Sequence, residues 1–177
     1  MAASVRGDAD RPRRRMAQPR QHHQPRPSTR RRRKRGGPAH AIGRSRGGPS
    51  TKVHLVVDAL GLPIAFEITE GQRHDVTQAP ALATRAESKQ LLGDKGYDSA
   101  AFREHLASMN CVPVIPSKSD RARKIPYDRD LYKARAEVEC TFNLLKQARR
   151  FATRYEKTAR NYVAVVAIGC ALLWLRI

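Results

Sequence analysis

The chain holds 177 residues, with 35 Lys and Arg against 16 Asp and Glu, for a formal net charge of +19. That length suits one folded domain with a tail rather than two full domains, and the charge points to a polyanionic partner. Three scattered cysteines, Cys111, Cys140 and Cys170, form no CxxC pair and have no histidines at finger spacing. A disulfide framework and a zinc ribbon are thereby excluded, and a reducing compartment is the natural setting.

The charge is unevenly spread. Residues 1–50 carry fifteen cations against two acids, Asp8 and Asp10, a net +13, whereas the remaining 127 residues carry only +6. Within residues 11–41 Met16 is the one large apolar side chain, and arginines and prolines dominate. Such a stretch cannot bury enough surface to offset chain entropy, so residues 1–41 are predicted to be a disordered basic tail, either solvated or serving as an arm on phosphates. No apolar segment follows the arginines, so a secretory leader is not expected. Residues 42–177 read as the globular part.

From residue 51 the elements come in quick succession. Residues 52–59 (KVHLVVDA) and 64–69 are β-branched and apolar, separated by Gly61 and Pro63, which predicts a hairpin. Asp75 with Gln78 resembles a capping box opening a helix over 76–85. A short strand at 90–94, a helix capped by Asp98 and running to 109, and a strand at 112–115 ended by Pro116 follow. Residues 117–127 are basic and read as a loop. Two helices close the chain, at 130–150 and 159–176. The second contains the apolar run 162–175, fourteen residues against the ~20 that cross a bilayer, and reads as a buried core helix rather than a membrane span. The order implies a mixed α/β fold, a sheet covered by helices.

Two carboxylates stand out. Asp94 ends an apolar strand, where open α/β sheets place their ligands, although a turn needs such a residue equally well. Glu139 lies on the helix predicted at 130–150. At about 100° per residue, Tyr132, Arg135, Glu139 and Lys146 fall within a sector of roughly 60°, beside an apolar stripe of Leu131, Val138, Phe142 and Leu145. A solvated face would look similar, but Glu139 borders the apolar stripe. Two carboxylates on separate elements suit hard divalent cations, and paired cations can drive phosphoryl displacement. Among the histidines, His54 alternates along a strand and reads as structural; His74, beside Asp75, is the one near a plausible site. No glycine pair has Walker spacing, so no nucleotide cofactor is implied. At 6% aromatic residues, a base-stacking RNA surface is not favoured.

The pattern Tyr, two residues, Arg, three residues, Glu, six residues, Lys is met at Tyr132, Arg135, Glu139 and Lys146, and Asp-x-Gly-Tyr at Asp94, Gly96 and Tyr97. With IGRSRGG at 42–48, TKVHLVVDALG at 51–61, GQRHD at 71–75 and KTARNY at 157–162, residues 42–176 resemble the DDE transposases of bacterial insertion sequences, of the "four" and "five" groups. The resemblance implies a ribonuclease-H-like catalytic domain, with Asp94 and Glu139 as the second and third acids and as ligands of Mg²⁺ or Mn²⁺. It implies that Lys146, Arg135 and Tyr132 contact transposon-end DNA or order the site around Glu139. The implied activity is metal-dependent DNA strand cleavage and transfer on transposon ends and target DNA, in the bacterial cytoplasm at the nucleoid, without a membrane partner and compatibly with a homo-oligomer on DNA.

One part of the family pattern is missing. The family's first Asp sits on the first strand, in an Asp-Ser-Thr context upstream of IGRSRGG, and nothing here matches it. Asp58 is a tempting substitute but reads more simply as a turn residue, and Asp75 as a helix cap. The expectation is therefore an incomplete ribonuclease-H-like sheet that lacks its first strand, in a truncated or frame-altered copy. The alternative function is that of a catalytically dead DNA-binding remnant.

Overall fold

The computed structural model describes residues 40–45 and 48–176, together with the backbone of two short strands before them. The sheet is organised on β4 (Gly48–Val57), whose sequence GPSTKVHLVV places a β-branched or apolar residue at most positions of its second half. β4 turns at Asp58–Leu62 into β5 (Pro63–Glu70), antiparallel to it with Leu55 opposite Phe66. Further strands are β1 (Arg14–Met16), β2 (Arg20–His23), β3 (Gly43–Ser45), β6 (Gln90–Leu92) and β7 (Val112–Val114).

Val56 and Val57 each have two strand partners, one on β5 and one on β1, so these strands flank β4 on opposite sides. β1 pairs in turn with β6 in parallel, Arg15 opposite Leu92, and β6 pairs in parallel with β7. The resulting order is β5-β4-β1-β6-β7, with β2 and β3 adding to β4. β7 is an edge strand, where Pro113 can sit without a ladder donor.

Here the structure departs from the sequence expectation. A strand does occupy the position between the hairpin and β6, and it comes from residues 14–16, inside the stretch expected to be a structureless tail. The sheet is not missing its first strand. Backbone pairing needs no particular side chain, so an arginine-rich segment can supply the ladder hydrogen bonds that β4 and β6 would otherwise lack. β2 (Arg20–His23), from the same stretch, also pairs with β4, and the rest of the expected tail before residue 40 lies outside the described residues.

Strand alternation builds two cores. Val56 points to one face and packs with Leu91 against α1 (Ala79–Ala86) and α2 (Ala100–Ser108), through Leu82, Ala83, Phe102 and Leu106. Val53, Leu55 and Val57 point to the other face and meet α4 (Ala136–Gln147), α5 (Arg149–Ala152) and α6 (Ala159–Trp174), through Phe142, Leu145, Phe151, Tyr162 and Val166. Between β7 and α4 lies α3 (Arg129–Lys133), whose Leu131 packs on Leu92 and Val114. Gly61, at φ +81°, sits on the hairpin turn with its carbonyl accepting from Thr141 Oγ1 at 2.6 Å; a Cβ there would come within 3.1 Å of that oxygen. The turn thereby seats α4.

Helix boundaries also differ in places. The helix expected at 130–150 is three pieces, because the chain tightens to i→i+3 hydrogen bonds across Ala134–Val138 and Ala148 leaves helical geometry at ψ 108°. α1 begins later than expected, after a short 3₁₀ turn at Asp75–Thr77, and Asp75 makes no capping hydrogen bond. The cap of α2 is Ser99, which accepts from Phe102 N, rather than Asp98. α6 buries only the stripe of Tyr162, Val166, Cys170 and Leu173 and leaves Ile168, Leu172 and Leu175 exposed, so it is half a core helix. No described helix is long and apolar enough to cross a membrane. The three cysteines are unpaired.

Two predictions come from this packing. Phe142→Ala removes a fully buried ring between α4 and the sheet, and should lower stability by about 3–5 kcal/mol in urea unfolding. His54 is buried with Nε2 2.8 Å from Thr69 Oγ1, and burial, aided by Lys52 and opposed by Asp75, lowers its pKa from 6.5 to about 4. The unfolded chain therefore binds a proton that the fold excludes. Stability should fall as pH drops from about 6.5 to about 4, and His54→Gln should flatten the unfolding midpoint across that window.

Candidate active site

The sequence around Asp94 folds into a tight turn because Gly96 lets its N–H approach the Asp94 carboxylate, at 2.9 Å, as the chain enters the 3₁₀ turn Lys95–Tyr97. Asp94 is half-buried at the carboxyl end of β6. Burial pushes its carboxyl above the ordinary range and the nearby Asp75 adds to this, while the Gly96 N–H and the Arg135 guanidinium pull it down. Tyr97 is buried beneath the same turn, and burial together with Asp75 and Asp94 holds its hydroxyl well above its usual range.

Arg135 links the two acids. It stands at the start of α4, where Nη2 reaches Glu139 Oε1 at 3.3 Å one turn on, and its charge is felt at Asp94. The guanidinium lies 5.7 Å from the centre of the Tyr132 ring, and Tyr132 meets Tyr127 edge-on at 5.4 Å. Burial raises the Tyr132 hydroxyl, with Asp94 and Tyr127 adding to the effect against Arg135. Arg135 Nη1 is buried with no hydrogen-bond partner among the described residues. Lys146 lies two turns beyond Glu139 on the same helix, about 10 Å along the axis. Tyr132, Arg135, Glu139 and Asp94 are thus electrostatically linked, and Lys146 extends their row.

The other carboxylates have different work. Asp58 Oδ1 accepts from Leu60 N and Leu62 N, both at 2.8 Å, which makes it the organiser of the hairpin turn. Asp75, expected to cap a helix, instead takes an ion pair from the buried Lys52 at 2.7 Å, which donates also to Arg73 O. Lys52 shares a face of β4 with His54 and Val56, so strand alternation was the signal that it reaches inward. His74 is exposed, and its carbonyl accepts from Thr77. Asp98, with a fully buried side chain, takes hydrogen bonds from Arg103 Nε, Arg121 Nε and Nη2, and Lys118 N, all within 3.0 Å. The alternation of charge between residues 98 and 121 spans a loop and left no local trace in the sequence. No group of three His, Cys, Asp or Glu suited to a metal ion forms among the described residues.

A mixed sheet clad by helices on both faces, with linked acidic and cationic side chains at a strand end, defines an α/β protein with a site suited to charged substrates. The transposase DDE domain family matches residues 17–174, and the chain belongs to that family. It is 37% identical over 129 residues, 72% of this chain and 99% of the relative, to a Brucella ovis protein described as a transposase for insertion sequence element IS6501. It is 32% identical over 137 residues to the corresponding Burkholderia cepacia protein of insertion sequence element IS402, of whose length this chain spans 63%. No solved structure is a significant match. The chain is therefore an insertion-sequence transposase by family, and that family implies a divalent metal requirement in general.

Asp98 generates a stability prediction. Burial alone would raise its carboxyl, but Arg121, the Lys118 N–H and Arg103 outweigh burial and bring the pKa to about 2. The folded value lies below the unfolded one, so this contribution is full above about pH 4 and is lost as pH falls toward 2. Asp98→Ala should cost about 3–5 kcal/mol at neutral pH and remove that acid sensitivity, as read from urea midpoints across the pH range.

Proposed function

We propose that the chain binds transposon-end and target DNA along the row of Tyr132, Arg135, Glu139 and Lys146, and directs metal-dependent strand cleavage and transfer at Asp94 and Glu139. The observation that carries this reading is that Arg135 joins the group: it pairs with Glu139 at 3.3 Å, its charge acts on Asp94, and its Nη1 is a buried donor with no partner among the described residues. The Tyr132 hydroxyl can donate a hydrogen bond to a DNA backbone, and Lys146 can neutralise a neighbouring phosphate. The strand order β5-β4-β1-β6-β7, with only β4 running against its neighbours, supports a ribonuclease-H-like arrangement.

The donor set fits one divalent cation. Asp94 and Glu139 offer carboxylate oxygens, and Mg²⁺ is commonly held by one or two carboxylates plus substrate phosphates. Mg²⁺ or Mn²⁺ bound there would supply positive charge to a reacting phosphoryl oxygen. Burial raises the Asp94 carboxyl and so opposes its charged form, which a bound cation would stabilise, while Glu139 is already paired with Arg135. The bacterial nucleoid as workplace and paired copies on DNA belong to the same reading.

A specific observation favours a second reading, a catalytically dead DNA-binding remnant. β1 occupies the central position of the sheet as Arg14-Arg15-Met16, and no acid occurs anywhere between Asp10 and Asp58. The strand, which was expected to be missing, is present but brings no carboxylate. Incubating end-labelled transposon-end DNA with Mg²⁺ or Mn²⁺ separates the readings. Under the first, the wild-type chain cleaves and Glu139→Gln lowers the rate about a hundredfold or more. Equal, metal-independent DNA retention by both proteins without cleavage establishes the second.

A further inference from the structure

We infer that the loop joining β7 to α3, residues 115–128, is a rigid cationic docking surface for the phosphate backbone of the DNA strand that approaches Asp94 and Glu139; this deepens the DNA-binding reading above and rests on it. The loop has no regular secondary structure, yet it is cross-tied along its length. Arg121 and the Lys118 N–H converge on the buried Asp98, only four residues past Asp94. Arg103, the other partner of Asp98, donates through Nη2 to Ile115 O at 2.8 Å. Lys124 Nζ donates to the carbonyls of Lys118 at 2.5 Å and Ser119 at 2.8 Å, and Ile125 N donates to Ser117 Oγ at 2.9 Å. Pro116 and Pro126 stiffen both ends. Ordering that a mobile loop would undergo on binding is already complete.

The same ties decide which charges face solvent. Asp98 is spent inside, Asp128 accepts from Leu131 N to cap α3, and Asp130 pairs with Lys133. Asp120 and Asp128 are the exposed acids of the loop, neither in an ion pair among the described residues, against the exposed cations Arg123 in the loop and Arg129 just after it, which likewise form no ion pair among the described residues. The surface is continuous with the site, because Tyr127 at the loop's end stacks edge-on to Tyr132, which carries Arg135. Open, spread cations of this kind fit an extended polyanion rather than a small enclosed phosphate.

The test is fluorescence anisotropy of the full-length chain on a short DNA duplex across a range of NaCl concentrations. Arg123→Gln with Arg129→Gln should lower the slope of log K against log salt by about 2, one phosphate contact for each cation. Lys89→Gln with Arg176→Gln, exposed cations elsewhere on the surface, removes the same net charge and should change the slope by less than about 1. Thermal unfolding of each variant checks the fold, and should the double variant be unstable, Arg123→Gln alone should lower the slope by about 1. Equal losses from both double variants overturn the docking surface while leaving DNA binding intact. A wild-type chain that binds no duplex overturns both.

Discussion

The alternation of side chains along β4 is the constraint from which the fold follows. Lys52, His54 and Val56 point one way, and Val53, Leu55 and Val57 the other, so a single strand has to be covered on both faces. A one-residue slip would exchange the two sets and carry Lys52 and His54 into the valine-and-phenylalanine core under α4 and α6. Burying that ammonium without Asp75 would be strongly unfavourable, which fixes the register. With β4 fixed, β5 follows through the Gly61 turn, and the free edge of β4 has to find partners. β1 and β2 meet that need with backbone alone.

The hairpin, β6, α2, β7 and the loop after it were legible because each is written locally, in alternation, in glycine and proline punctuation and in apolar runs. The first strand was not. Nothing in Arg14-Arg15-Met16 has strand character, and its place is dictated by the vacancy between β4 and β6 rather than by its own residues. The break between α3 and α4 was equally hidden, since Leu131 through Leu145 keep a helical spacing across it. Spacing alone nevertheless put Tyr132, Arg135 and Glu139 near one another, because the four i→i+3 bonds across Ala134–Val138 rotate the chain only slightly differently from α-helical ones. The roles of Asp75 and Asp98 depended on partners 23 residues away, at Lys52 and Arg121, and local cues pointed to caps instead.

Arg154 shows a similar division of labour at the other motif stretches. Its guanidinium donates to His40 O, Ala41 O and Glu156 O and to Thr51 Oγ1, and lies 4.8 Å from the centre of the Tyr162 ring. His40 Nδ1 and Lys157 O, 3.0 Å apart, make a second tie. The segment entering β3 is thus bound to the start of α6, and two stretches that resemble the family at opposite ends of the chain are one structural unit. A half-buried cation thus holds the two stretches together.

The site itself balances charge in the same way as the fold. Asp94 sits where burial and Asp75 favour its proton, and Glu139 is answered by Arg135. Cationic charge arriving at such a site would compensate both carboxylates at once. A third acid on β1 would have added negative charge beside Leu92, and the sequence puts arginines at that strand instead. Two carboxylates without a third leave open how far binding and cleavage go together, so they have to be measured as separate properties of this chain.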